Sequence, residues 1–334
     1  MANREHFSAS DIRSAARLSV APMMDWTDRN CRVFHRMMSR KSLLFTEMVT
    51  AAAIVHGERG RLLDYDAAEH PLALQLGGSE PAQLAEATRI ASDWGYDEIN
   101  LNVGCPSDRV QSGCFGAILM TRPELVAECV QAMQAQSPVE VTVKCRIGVD
   151  EQIPEEMLPA FIATMRDAGI RRLTIHARKA WLQGLSPKEN REIPPLDYPL
   201  VHRMKAAFPE LHLSINGGIA SLEETRGHLA VMDGVMVGRA AYHQPWDIMG
   251  AADTLWGDEA PFADPHDVAL AMRPIIIRHL ETGGRLHQFT RHMLGLFHGR
   301  AGARGWRRTL SEGASQGGIE VYDAALAQTR QEAA

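Results

Sequence analysis

Residues 71–104 indicate the fold most clearly and contain PLALQLG (71–77), EPAQLAEATRIASDWG (80–95) and EINLNVG (98–104). Two short apolar runs of strand character flank one longer amphipathic stretch of helical period. Parallel strands covered by helices are buried on both faces and read as continuous apolar runs. This order therefore predicts a strand–helix–strand unit with parallel strands.

The same unit recurs along the chain. Six more apolar runs are LSVAPM (18–23), LLFTEM (43–48), VEVTVKCRIG (139–148), RRLTIHAR (171–178), LHLSINGG (211–218) and GVMVGRAA (234–241). Eight such runs predict an α/β protein with a (β/α)₈ TIM barrel over residues 17–255. Residues 262–334 keep a helical period and contain no strand run, so we expect a small all-α C-terminal domain there. Residues 1–16 are polar and are predicted to be a flexible N-terminus.

Composition limits the class of protein. The chain has 334 residues, and 45% of them are hydrophobic, which excludes a disordered protein. Its net charge of −6 gives no global sign of nucleic-acid binding. Five cysteines without a CxxC pair argue against a zinc ribbon or a disulfide framework. No apolar leader or membrane-length apolar stretch occurs. We expect a cytoplasmic monomer without a metal site and without membrane contact.

Charge is nevertheless uneven along the chain. Residues 271–310 contain eight arginines and a single acid, Glu281, an excess of seven positive charges. Such a stripe either contacts phosphates or forms a solvated helix face that pairs with acidic barrel surface.

Glycine turns follow the last two predicted strands. Strand 7 ends in Asn216-Gly217-Gly218, and strand 8 ends in Gly238-Arg239. Phosphate sites of barrels are frequently built from these two loops, where glycines let backbone N–H groups approach closely. The alternative is that the glycines only make tight turns. Two glycine turns at the two expected strand ends favour a phosphate.

Other polar residues at the strand ends indicate a flavin mononucleotide pocket. Strand 5 carries Lys144 and Arg146, and burying Lys144 is costly unless it meets an anion, an electron-rich ring or a carboxylate such as Glu47. Gln75 and Asn102 offer amide donors and acceptors to a heterocycle, and His176 suits a phosphate or a ring carbonyl.

Cys105 lies in a Gly-Cys-Pro turn at the predicted mouth, ahead of a glycine-containing loop, SDRVQSGCFGAI, that is typical of a lid. A neutral thiol there can serve as a general acid. Cys114 is a nearby alternative, whereas Cys129, Cys145 and also Cys31 fit buried structural roles.

These motifs resemble those of the tRNA-dihydrouridine synthases. The resemblance extends over the whole barrel, through SVAPMMDWTDRNCR (19–32), FTEMVT (45–50), LALQLGG (72–78), EINLNVGCPSDRVQSGCFGAILM (98–120), VTVKCRIG (141–148), IHARKAWLQGLSPKENREIPPL (175–196), SINGGI (214–219) and VMVGRAAY (235–242). NVGCPS and LSPKENREIPPL are specific, whereas NGG and GR occur in many flavin barrels.

The resemblance implies reduction of the C5–C6 double bond of uridine in tRNA, at D-loop positions 20 and 20a in the most similar branch of the family. NADPH, a transient reductant, reduces tightly bound FMN, and hydride passes from flavin N5 to uracil C6. The cysteine matching Cys105 donates a proton to C5 from the opposite face. The matching FMN contacts are Pro22, Met23, Met24, Gln75, Lys144, His176, Asn216, Gly217, Gly218, Gly238 and Arg239.

The resemblance also implies tRNA as the partner. Asn102 is expected to contact the uracil edge once the base has left its stack. The matching phosphate contacts are Arg109, Lys188, Arg191, Arg304 and Arg307. Under this interpretation the C-terminal arginine stripe binds RNA.

Two other functions fit parts of the pattern. One is an FMN barrel that acts on a free small molecule, which leaves the arginine stripe unexplained. The other is a non-catalytic RNA-binding barrel, against which Cys105 and Lys144 argue. Activity on free uridine, or a colourless protein with tRNA affinity, distinguishes these from the family reaction.

Overall fold

A computed structural model describes residues 7–107 and 115–329. Its eight strands are β1 Leu18–Val20, β2 Leu43–Thr50, β3 Leu72–Gly77, β4 Glu98–Val103, β5 Glu140–Arg146, β6 Arg172–His176, β7 His212–Asn216 and β8 Gly234–Val237. Neighbouring strands are parallel, and β8 pairs with β1, so the sheet closes into a barrel. The predicted TIM barrel is confirmed, and all eight carboxyl ends open on one mouth.

Helices cover the outside of the barrel and make up the C-terminal part. Within the described residues, the α-helices of the barrel region are Ala9–Ala15, Arg29–Met38, Ala51–His56, Arg59–Leu63, Pro81–Ser92, Pro123–Gln134, Pro154–Asp167, Tyr198–Ala207, Leu222–Leu229, Arg239–His243 and Pro245–Met249. Proline at the first helical position begins several of them, because its fixed φ suits a helix start and its missing N–H is not needed there.

Each strand follows its predicted run but is mostly shorter. β3 and β4 are buried along their whole length, as the continuous apolar pattern requires. The runs extend past the strands into the first residues of the loops; after β8, for example, a helix begins at Arg239.

The N-terminus differs from the prediction of a flexible segment. Ser8 caps a helix over Ala9–Ala15, in which Ile12 is only 1% exposed. Ile12 packs with Phe45 and Met236 in a separate apolar cluster. The prediction is wrong for these residues, because two apolar positions among polar ones suffice to anchor a short helix.

The C-terminal part is helical throughout its described residues, with helices Pro265–Glu281, Leu286–Met293, Ala303–Gly313 and Ile319–Gln328. Its centre is aromatic: Trp306 and Tyr322 are fully buried, and their rings meet edge to face with centroids 5.5 Å apart. Asp28, which caps helix Arg29–Met38, pairs with Arg291 and His292 and so joins the C-terminal helices to the barrel. Within the described ranges, no helix is both long and apolar enough to cross a bilayer.

Candidate active site

Polar side chains from neighbouring strands meet at the mouth of the barrel. Gln75 lies on β3, Asn102 on β4, Lys144 on β5, His176 on β6 and Asn216 on β7. In the strand register Asn102 is opposite Lys144, and His176 is opposite Asn216. The closed sheet therefore places these five predicted site residues side by side.

The loop after β1 contributes apolar side chains to the same end. The Met23 N–H donates to Thr27 Oγ1 at 2.9 Å, which fixes the loop. A Cβ on Gly238 would lie 3.8 Å from Met23 Sδ, so Met23 lies beside the turn after β8. Pro22 is half-buried, and Met24 is 57% exposed. This loop offers an apolar surface suited to a flat ligand.

Cys105 lies in a turn that Asn102 holds. Asn102 Oδ1 accepts the N–H groups of Gly104 at 3.1 Å and of Cys105 at 2.9 Å. The thiol lies 3.5 Å from Ser107 Oγ, and Cys105 is partly exposed. The other described cysteines are buried: Cys31, Cys129 and Cys145. Cys105 therefore combines a fixed backbone with the access that a proton donor needs.

A line of hydrogen-bonded side chains supports this turn from inside the barrel. Asn102 Nδ2 donates to Gln75 Oε1 at 2.8 Å, and Gln75 Nε2 donates to Asn100 Oδ1 at 2.8 Å. Asn100 Nδ2 in turn donates to Thr142 Oγ1 at 2.8 Å. Since buried amides are costly unless they are bonded, this line fixes the orientation of both Gln75 and Asn102.

Lys144 has no carboxylate partner among the described residues. Glu47, the partner considered from the sequence, instead accepts the Asp25 N–H at 2.5 Å. The ion-pair alternative is therefore wrong. Burial, together with the neighbouring Arg146, lowers the pKa of Lys144 to about 8. An ammonium in this setting is stabilised by an anionic or electron-rich ligand.

His176 carries an unsatisfied polar atom. Its Nδ1 is buried and has no hydrogen-bond partner within the described part of the chain. Burial, with Arg146 and Lys144 nearby, holds the pKa of His176 well below its usual value, so the ring is neutral. A buried polar atom without a partner points to a ligand at this position.

The turn after β7 needs glycine at both positions. Gly217 has φ +114° and Gly218 has φ +73°, which favour glycine. A Cβ on Gly218 would lie 2.6 Å from Leu196 Cδ1, and Tyr198 Oη donates to the Gly217 carbonyl at 2.6 Å. The adjacent Gly238 has room for a Cβ. The β7 turn, in which Gly217 is buried and Gly218 exposed, thus forms a cradle of glycine backbone that suits a phosphate.

Four arginines surround the glycine turns and the thiol. Arg239 pairs with Glu192 at 2.6 Å and lies 3.4 Å from the Arg191 carbonyl, so its guanidinium points along the segment after β6. Burial lowers the pKa of Arg146 to about 10, and the nearby charges of Arg191 and Arg178 act in the same direction. This side of the mouth carries an excess of positive charge and is suited to phosphates.

The predicted RNA contacts lie on the surface where they are described. Lys188 and Arg191 are exposed beside the mouth, and Arg304 and Arg307 are exposed on helix Ala303–Gly313. Arg109 and Cys114 lie outside the described residues. Within the described chain, five arginines of the stripe have no ion pair: Arg278, Arg285, Arg304, Arg307 and Arg308.

Two residues that organise the site have no assigned role in the sequence prediction. Arg146 donates a hydrogen bond to the backbone next to Cys105. The sequence feature that could have indicated this role is its position two residues after Lys144, which places both side chains on the same face of β5. Asn190 is fully buried and bonds Trp181 in both directions, at 2.7 and 2.8 Å. Nothing in the sequence distinguishes Asn190 from an exposed loop asparagine.

The residues present fit a flavin mononucleotide. Lys144 and the orphaned His176 Nδ1 lie on neighbouring inner strands, and the β7 cradle is beside them. Together they offer a cation, a ring hydrogen-bonding group and a glycine turn of the kind that binds phosphate. Among the described residues, no group of three or more His, Cys, Asp or Glu side chains is arranged to hold a metal ion.

Comparison with known proteins identifies the family. A family model described as Dihydrouridine synthase (Dus) matches residues 19–333. This chain belongs to the dihydrouridine synthase family. It is therefore an oxidoreductase, as the resemblance in the sequence implies.

Relatives agree with this assignment, and a solved structure shares the fold. The tRNA-dihydrouridine(20/20a) synthase of Vibrio cholerae is 56% identical over 316 residues, 94% of this chain and 96% of the relative. The protein of the same name from Escherichia coli K12 is 56% identical over 313 residues, 93% of this chain and 90% of the relative. The old yellow enzyme homologue of Zymomonas mobilis shares the barrel fold, with a TM-score of 0.50 and 14% identity, over 69% of this chain and 86% of that one.

Proposed function

We propose that this protein reduces the C5–C6 double bond of uridines at positions 20 and 20a of the tRNA D-loop, giving dihydrouridine. The observation that carries the proposal is the partly exposed Cys105 at the same mouth as Lys144, which has no carboxylate partner among the described residues, and His176, whose Nδ1 has no hydrogen-bond partner there. The names of the relatives that are more than half identical support the same substrate and positions.

In this proposal FMN is held at the mouth by the residues predicted for it. The Gly217-Gly218 turn and Gly238-Arg239 take the phosphate, while Lys144, His176 and Gln75 meet the ring. A bound, reduced flavin would supply the hydride that adds to uracil C6, with NADPH as the source of its electrons. Met24, which is 57% exposed, and the rest of the β1 loop offer apolar surface to one face of the ring.

Cys105 completes the reduction. Hydride addition at C6 leaves enolate-like negative charge on the uracil, and protonation at C5 removes it. The S–H bond of Cys105 breaks as the C5–H bond forms, and the resulting thiolate takes a proton from solvent. Asn102 fixes the turn that carries the thiol, and its remaining amide hydrogen is available to the uracil edge.

The substrate is held by phosphate contacts that offset the cost of unstacking the target base. Lys188 and Arg191 beside the mouth, with Arg109, take the nearer phosphates, and Arg304 and Arg307 take phosphates farther along the RNA. Because its substrate would be tRNA, we place the protein in the cytoplasm, where it acts as a monomer.

The test is direct. The purified protein is reconstituted with FMN and incubated with NADPH and tRNA isolated from cells that lack it. Mass spectrometry should then locate a gain of two hydrogens at positions 20 and 20a. Absence of that gain overturns the proposal. Equal turnover of free uridine would instead indicate a small-molecule reductase, and a parallel reaction with NADH tests the choice of reductant.

A further inference from the structure

Arg146 is a buried cation whose side-chain bonds, within the described residues, go only to backbone carbonyls. It is 4% exposed and lies at the carboxyl end of β5. Within the described residues it has no carboxylate partner, whereas the buried Arg32 and Arg172 pair with Glu69 and Glu98. A buried charge without a counter-ion is costly, and it is tolerated where it makes several good hydrogen bonds.

The bonds of Arg146 join three separate segments of the mouth. Its Nε donates to the Gly104 carbonyl at 2.9 Å, directly before Cys105. Its Nη1 donates to the Lys179 carbonyl at 2.8 Å and to the Asn190 carbonyl at 3.0 Å. The guanidinium is planar and rigid, so these bonds fix the three carbonyls relative to one another.

The bonds of Arg146 form a bridge between the Cys105 turn and the Lys179–Asn190 segment. In the proposed reaction, the first end carries the proton donor and the second lies beside the phosphate contacts. At one end of the bridge, Asn102 accepts hydrogen bonds from the N–H groups of Gly104 and Cys105, and Arg146 donates one to the Gly104 carbonyl. Both the N–H and the C=O groups of the turn that carries the thiol are therefore hydrogen-bonded. On the other side, Asn190 lies between Lys188 and Arg191, and its side chain orders the loop back to Trp181.

We propose that Arg146 is a positioning residue that fixes the Cys105 turn relative to the Lys188–Arg191 segment, so that RNA held by that segment meets the thiol at a set distance. This inference rests on the proposed function. In this role Arg146 acts through the backbone carbonyls that it bonds on either side.

The principal test uses Arg146→Lys, which keeps the charge but cannot reproduce the fork of bonds. In holoenzyme, the dihydrouridine kcat should fall about tenfold or more, since hydrogen bonds to a charged group are lost. FMN content and the rate of flavin reduction by NADPH should stay at the wild-type level. Arg36→Lys is the matched control, because Arg36 is also buried and bonds only backbone carbonyls, away from Cys105.

A double-mutant cycle tests the bridge itself. In the wild-type background, Arg191→Ala should lower both tRNA affinity and kcat. In the Arg146→Lys background it should lower affinity alone, because the segment no longer controls the thiol. Additive effects on kcat would overturn the proposal.

A third measurement needs neither tRNA nor turnover. Alkylation of Cys105 by iodoacetamide, followed by peptide mass spectrometry, should be severalfold faster in Arg146→Lys, because the turn is released, and unchanged in Arg36→Lys. Equal rates in all three proteins would contradict the proposal. If wild-type protein fails to form dihydrouridine, the proposed function fails, while this assay still decides the role of Arg146.

Asn190→Ala is the second variant if Arg146→Lys does not fold. It loosens the loop at the other end of the bridge and leaves the barrel interior intact. It should lower kcat and tRNA affinity together, and a loss of affinity with unaltered kcat would contradict the bridge.

Discussion

At the scale of single residues, the surroundings of Cys105 distinguish it from the other described cysteines. Cys129 is fully buried and its thiol donates to the Ser79 carbonyl at 3.6 Å. Cys105 is partly exposed in a turn whose N–H groups are held by Asn102. Thiols differ little in intrinsic chemistry, so access and position decide which of them transfers a proton.

Cys105→Ala should bind FMN and tRNA as the wild type does and lose dihydrouridine formation by about 10²- to 10⁴-fold, the usual contribution of a general acid. Turnover is measured by mass spectrometry of the product tRNA. Cys129→Ala is the control and should retain turnover. Full activity in Cys105→Ala would transfer the acid role elsewhere, with Cys114 as the next candidate.

We expect FMN binding to depend on pH because the Lys144 ammonium titrates. Its pKa in the free protein is lowered by burial to about 8, so the ammonium is charged below that pH and neutral above it. Since a ligand that prefers the charged form binds less well once the proton is lost, FMN affinity should fall as pH rises through about 8, by up to roughly tenfold per pH unit.

Fluorescence titration of FMN at a series of pH values checks this expectation. Lys144→Met should weaken binding and abolish the dependence. Lys205→Met serves as the control, because Lys205 is paired with Asp233 at 2.8 Å and should leave the profile unchanged. A wild-type-like profile in Lys144→Met would remove Lys144 from the FMN site.

At the scale of elements, the β7 turn shows how a short segment becomes a binding feature. Gly218 has φ +73°, and a Cβ there would lie 2.6 Å from Leu196 Cδ1. Gly227, inside helix Leu222–Leu229, has open space where a Cβ would lie and no positive φ. The two glycines thus serve different purposes in neighbouring elements.

Gly218→Ala should lose FMN affinity by about tenfold or more, because a φ that alanine resists and a steric clash both distort the cradle. Gly227→Ala should keep FMN affinity and gain about 0.5–1 kcal/mol in stability from helix propensity. FMN titration and thermal unfolding measure the two effects. Equal FMN affinity in both variants would place the phosphate elsewhere.

At the scale of the whole molecule, the arginine stripe divides into two sets. Arg273, Arg291 and Arg300 are paired with Asp323, Asp28 and Asp264. Arg304 and Arg307 are exposed on one helix without an ion pair among the described residues. Local charge rather than the net charge of −6 sets the field that RNA meets.

Arg304→Ala and Arg307→Ala should each weaken tRNA binding and lower the slope of log affinity against log salt by about one. Filter binding over a range of salt concentrations measures this. Arg273→Ala is the matched control, because its guanidinium is already paired with Asp323, and its slope should match the wild type. A wild-type slope in all three variants would assign the stripe to a solvated surface.

The barrel and most of the residues at its mouth follow from the amino-acid sequence. Apolar runs and helical stretches alternate at regular spacing, and the closed parallel sheet then fixes which residues end the strands, so Gln75, Asn102, Lys144, His176 and Asn216 were predictable as neighbours. The N-terminal helix was missed because its anchor is only two side chains, Ile12 and Ala15.

The pairing of the side chains, in contrast, depends on the three-dimensional packing. That Glu47 bonds Asp25 rather than Lys144, and that Arg146 bridges the Cys105 turn and Asn190, depends on contacts between segments far apart in the chain. Periodicity reports the face on which a residue lies, but hydrogen bonds depend on distances that closure of the barrel sets. For that reason the location of the site follows from local pattern, whereas its electrostatics follow from packing.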